Sequence, residues 1–178
     1  MRKALRVTFS VVTILLLAST ALQIYFAAMG VFSVPEDELF GIHGSNGRMV
    51  LPVLVLLTVL FAALARSGKK SIWLSVLLIP MLAFQTVIFI LVGAMFPGVG
   101  PDAATIPLAA TMTVSLHALN GLAIIWVSSI LVRRAWLLAY RDEIPRGRRA
   151  AARTADAARE PGASQIPAAP AQEPARTS

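Results

Sequence analysis

Cysteine is absent from all 178 residues, which excludes disulfides, thiolate metal sites and cysteine nucleophiles. Charge is scarce too. Only 14 % of residues carry it, against 57 % that are hydrophobic, a balance that describes an integral membrane protein and not a water-soluble domain. None of the nine acidic side chains falls inside an apolar stretch, so no carboxylate stands there to relay protons. No Gly-rich phosphate loop, His-Glu-x-x-His element or Ser/His/Asp arrangement occurs. Ser115 and His117 are two residues apart, and such residues do not face one another on a helix. Beyond Met1, the dispersed methionines Met29, Met49, Met81, Met95 and Met112 read as core filler.

What is present is four apolar stretches, over residues 7–29, 49–65, 72–96 and 107–132. Each reaches or approaches the roughly 20 residues that cross a hydrocarbon core. Backbone groups in lipid must be paired within their own segment, so these are helices. The second is the shortest and gains a turn upstream through Asn46 and Gly47. Pro52 and Pro80 kink their helices without ending them. The expected fold is an all-α, up-down-up-down four-helix transmembrane bundle over residues 1–140.

The net charge of +7 is a matter of membrane topology and calls for no nucleic acid. Arg2, Lys3 and Arg6 precede the first stretch, Arg66, Lys69 and Lys70 separate the second from the third, and Arg133, Arg134, Arg141 and further arginines follow the fourth. The other side has Arg48 alone, beside Glu36, Asp37, Glu38 and Asp102. The bias predicts a multi-pass protein of the cell (inner) membrane with both termini cytoplasmic. A basic start and Ser19-Thr20-Ala21 resemble a cleavable signal, but the apolar run reaches Met29, which favours an uncleaved first helix.

Residues 141–178 have almost no large apolar side chain and are expected to be a disordered, basic, Pro/Ala-rich cytoplasmic tail. Arg146, Arg148 and Arg149 in it are candidates for anionic lipid, at about 1 kcal/mol per basic residue. A flank that only sets topology explains them equally well.

The chain has just two histidines, and both open the same pattern: His43-Gly-Ser-Asn46-Gly47 and His117-Ala-Leu-Asn120-Gly121. Polar groups in lipid are retained where they face the bundle interior. At about 1.5 Å per residue, Gln23 lies about 25 Å from Arg6, Gln85 about 22 Å from Lys70, and His43 roughly 34 Å from Arg66. His117 lies roughly 36 Å from Arg141, or about 24 Å from Arg133 if that residue marks the boundary. Histidines at one depth on two helices are what an intramembrane b-type haem needs. The Arg141 register provides it; the Arg133 register leaves a mismatch of about 10 Å. Gly44, Gly47, Ala118 and Gly121 allow close approach. Asn46 and Asn120 share a helical face with their histidines and, with Gln23 and Gln85, are candidates to orient an imidazole or hold a propionate. The competing explanation is that this layer only hydrogen-bonds helices together, at about 0.6 kcal/mol per bond.

The elements His43-Gly-Ser-Asn-Gly47 and Leu116-His117-Ala-Leu-Asn120-Gly121 resemble those of a family of small, uncharacterised bacterial four-helix membrane proteins, over about residues 7–140. More distantly, the arrangement is similar to one four-helix half of the haem A synthase family. It departs in having Gly44 after the histidine instead of Arg, and no acid three residues before it. That resemblance therefore implies haem binding at most, and not the synthase chemistry.

The expected function is a membrane protein binding haem b near the outer face through His43 and His117, for electron transfer with a membrane redox partner. The alternative is a non-catalytic accessory or scaffold subunit. A small carrier is disfavoured, because no paired broken helices mark a substrate site.

Overall fold

The computed structural model describes residues 2–99, 103 and 105–140. The tail, with Arg146, Arg148 and Arg149, lies outside them, as does Asp102. The described chain is helical: α1 (Arg2–Val31), a short 3-10 turn (Pro35–Asp37), α2 (Phe40–Ser45), a π-turn (Asn46–Val50), α3 (Leu51–Leu64), α4 (Lys69–Met95) and α5 (Leu108–Tyr140). α2, the π-turn and α3 run on as one rod, so four helices are long and apolar enough to cross a membrane. α1 and α4 each pack against both α3 and α5, which places α1 and α4 on one diagonal of the bundle and the α3 and α5 helices on the other.

Two boundaries differ from expectation. The second span begins at Phe40 and not one turn before Met49, which puts His43 inside a helix. The fourth runs on to Tyr140. There Arg134 Nε donates to Ser71 Oγ at 2.8 Å, in the first turn of α4. Arg134 is thereby level with the start of α4.

The outward faces are apolar, with Leu15, Leu22, Leu56, Leu60, Ile90 and Trp126 exposed. The interior mixes Phe9, Leu16, Leu78 and Leu131 with buried hydroxyls. Several of those hydroxyls bond back to their own helices: Thr13 to the Ser10 carbonyl at 2.8 Å, Thr58 to Leu54 at 2.7 Å, Ser75 to Ser71 at 2.9 Å. In an apolar interior that is how a serine or threonine is satisfied without a partner helix.

The π-turn has a local cause. Pro52, two residues beyond it, donates no N–H, and its ring pushes against the preceding turn. Widening to a five-residue spacing relieves this, and the Leu51 amide bonds the Asn46 carbonyl. Pro52 thus acts by inserting a residue into the winding.

That insertion exposes a repeat. Phe9 and Ser71, Thr13 and Ser75, Leu16 and Leu78 are buried pairs, each 62 residues apart, on α1 and α4. Gln23 and Gln85 have the same spacing. On the other diagonal the His-x-x-Asn-Gly patterns stand 74 residues apart. Below the π-turn the offset falls to 73: Leu51 and Ile124, Val55 and Ser128, Thr58 and Leu131, Ala62 and Ala135 are all buried. The hairpin of α1 with α2 and α3 and the hairpin of α4 with α5 are therefore two copies of one arrangement about the bundle axis. The π-turn is the one extra residue in the first.

At the basic end α3 closes with the Ser67 amide on the Ala62 carbonyl and the Arg66 amide on Ala63, at 3.1 and 3.0 Å. This closing geometry favours glycine at the penultimate place. Arg66 occupies it instead, at φ 51°, a left-handed conformation costing an L-residue about 1 kcal/mol.

Candidate functional site

Both histidines belong to the layer at the end of the bundle where Arg48 is the one described basic residue, and the diagonal arrangement brings them together. Their ring centroids are 6.0 Å apart, with planes tilted by 58°. The expected depth mismatch does not separate them. The 73-residue offset sets Arg66 against Ala139, two residues before Arg141, so His43 and His117 stand at nearly equal rise from one level. The π-turn also takes up a residue along the rod.

In the first hairpin the side chains form a closed network. Gln23 Nε2 donates to the His43 carbonyl at 2.9 Å, and His43 Nδ1 lies 3.0 Å from the Gln23 carbonyl. A carbonyl only accepts, so Nδ1 carries the proton and the neutral ring keeps its lone pair on Nε2. Asn46, buried, donates to Gln23 Oε1 at 2.6 Å and to the Ser19 carbonyl at 3.2 Å, and accepts from Ser19 Oγ at 2.9 Å. Gly47 leaves room for this network: a Cβ on it would stand 2.9 Å from Gln23 Nε2, and the amide would have to shift. Phe40 stacks on the His43 ring at 5.2 Å.

The second hairpin repeats the arrangement in part. Asn120 donates to the Met81 carbonyl at 2.7 Å, and Met81 lies 62 residues beyond Ser19, the carbonyl used by Asn46. Gly121 faces Gln85 as Gly47 faces Gln23, but loosely, with 3.6 Å to a Cβ. Phe89 meets His117 edge-on at 4.9 Å. Gln85 Oε1 and His117 Nδ1 are buried and have no hydrogen-bond partner.

All six expected site residues thus lie in one layer. Four participants were not anticipated. Ser19 was discoverable, standing one helical turn before Gln23; Phe40, Phe89 and the Met81 carbonyl carry no sequence signal. Among the described residues, no three His, Cys, Asp or Glu side chains gather in a way that would hold a metal ion. Two opposed imidazoles alone suit a metal that arrives with its remaining donors, as in a macrocycle.

The chain is an integral membrane protein of four apolar helices. Residues 23–94 match a family of unknown function, DUF6220, a stretch that includes His43, Asn46 and both glutamines and stops before His117. No curated protein and no solved structure matches the chain, so the likeness to haem A synthase has no counterpart in these comparisons.

Proposed function

We propose that the protein binds b-type haem between His43 and His117 and serves as a one-electron carrier in the membrane, exchanging electrons with a membrane redox partner, with both termini cytoplasmic. The observation that carries this reading is the 6.0 Å separation of the two rings across the bundle axis. With a metal–nitrogen bond of about 2 Å and a ring radius of about 1 Å on each side, two imidazoles on one iron have centroids about 6 Å apart. His43 is already in the right tautomer, since the Gln23 carbonyl holds its Nδ1 proton and frees Nε2. His117, whose Nδ1 has no partner, presents donor capacity that nothing in the chain consumes. Bound haem would supply an Fe(III)/Fe(II) couple; the chain holds the His43 imidazole by hydrogen bonds and sets Phe40 and Phe89 against the two rings, apolar neighbours that would bear on potential and solvent access.

A second reading has its own support. The closed network of Ser19, Gln23, His43 and Asn46 is what a layer that only joins helices looks like. A reduced-minus-oxidised spectrum of the purified protein separates the two. Haem binding gives low-spin Soret and α bands, lost in both His43→Ala and His117→Ala and only perturbed in Gln23→Ala and Gln85→Ala. A colourless protein that takes up no haem on reconstitution leaves the scaffold reading.

A further inference from the structure

At the opposite end from the histidines, α1 and the close of α3 enclose a cavity of about 230 Å³ lined by Arg2, Leu5, Arg6, Leu64, Ala65 and Arg66. We propose that this cavity holds the phosphate of an anionic phospholipid, gripped by the guanidinium groups of Arg2, Arg6 and Arg66. Three independent observations meet there.

The first is Arg6. Its Nε is buried and has no hydrogen-bond partner, although a guanidinium N–H removed from water demands an acceptor. The carbonyls at the end of α3 would attract a cation in their own right, yet this N–H does not use them. The second is Arg66. Its φ of 51° is a conformation in which glycine is the low-cost residue, and glycine does stand two positions on, at Gly68. A strained arginine in place of glycine points to a task for its side chain.

The third is charge and shape. Every acidic residue within the described chain, Glu36, Asp37 and Glu38, lies in the connection at the far end of the bundle. No described carboxylate therefore neutralises the three guanidinium groups. Planar guanidinium forks match phosphate oxygens in pairs. The cavity is smaller than the roughly 300 Å³ of a drug-sized pocket and far larger than the roughly 30 Å³ of one water. Its apolar wall of Leu5, Leu64 and Ala65 lies at the end of membrane-spanning helices, where the glycerol and first acyl carbons of a lipid would run.

The test uses the full chain in detergent, with melting temperature read from tryptophan fluorescence and bound lipid counted by native mass spectrometry. Phosphatidylglycerol should raise the melting temperature and appear as one retained lipid, whereas phosphatidylcholine and inorganic phosphate at equal concentration should do neither. Arg66→Gly removes a guanidinium and relieves the backbone at once. It should leave the lipid-free melting temperature equal or higher while weakening phosphatidylglycerol binding about tenfold, the loss of one charge-assisted pair. Arg6→Gln should weaken binding similarly, and Lys70→Gln, which removes the same charge from the same end, should leave it within about twofold. Equal losses in Arg66→Gly and Lys70→Gln would show a diffuse basic surface and overturn the proposal. So would equal effects of phosphatidylglycerol and phosphatidylcholine, or an inorganic phosphate shift that matches the lipid's.

Discussion

Asn46 and Asn120 hold equivalent places in the two hairpins, yet Asn46 is bonded to Ser19 and Gln23 on α1 while Asn120 reaches only the Met81 carbonyl on α4. The cause lies in single residues. Met81 stands where Ser19 stands in the first hairpin, so the hydroxyl that accompanies Asn46 has no equivalent. The second hairpin also leaves Gln85 Oε1 and His117 Nδ1 without partners, and a buried polar group so left costs about 1–3 kcal/mol. The first hairpin is thus a finished wall that fixes the tautomer of His43. The second carries polar atoms that a ligand would relieve. Both readings of the layer have a footing in this asymmetry, because each hairpin on its own argues for a different one.

The sharpest way to break the comparison is to change the winding. Deleting Met49 removes the inserted residue and should give a rod that matches α5, still folded, because the histidines and the buried stripe of α3 then share one 73-residue offset throughout. Deleting Leu122 has no such remedy. It turns the rest of α5 by about 100° and carries Ile124, Ser128, Leu131 and Ala135 off the axis, so no folded protein should survive extraction into mild detergent. Equal behaviour of the two deletions would dismiss the repeat.

Next in size are the asparagines. Asn46→Ala should cost about 2–3 kcal/mol, since it strands partners on α1, and Asn120→Ala about 0.6–1 kcal/mol. Unfolding in bicelles reads both, and a larger cost at Asn120 would contradict the asymmetry. Gln23→Ala, which frees the His43 ring and uncouples Asn46, should cost about 1–2 kcal/mol. Gln85→Ala, already half unpaired, should be near neutral by the same measurement.

The smallest effect concerns the glycines. Gly47→Ala forces the Gln23 amide aside and should cost about 1 kcal/mol, whereas Gly121→Ala meets ordinary contact and gains helix propensity, for a change near zero. A destabilised Gly121→Ala with an intact Gly47→Ala would reverse the order of tightness inferred here.

Much of this architecture is written in residue types that hydropathy reads directly. The four spans, the basic end and the layer of Gln23, His43, Asn46, Gln85, His117 and Asn120 follow from which side chains lipid tolerates. The repeat does not, because its spacing is 62 residues on one diagonal and 73 or 74 on the other, and no single offset aligns it. Pro52 signals a disturbance but not its form, since kink, break and π-turn all answer a missing N–H. The end of α5 was obscured by Arg133 and Arg134, which mark a boundary by charge while the helix continues through them.

Gly30 stands far along α1 from any histidine, but a Cβ there would come within 2.7 Å of the Phe40 Cα. The entry of the second rod is pinned at this crossing, and Phe40 passes the position on to the imidazole it stacks against. A side chain at residue 30 should therefore imitate the loss of His43. In a random screen, substitutions at this glycine near the end of α1 would cluster with those of His43, and the shared phenotype would report a displaced imidazole and not a missing one.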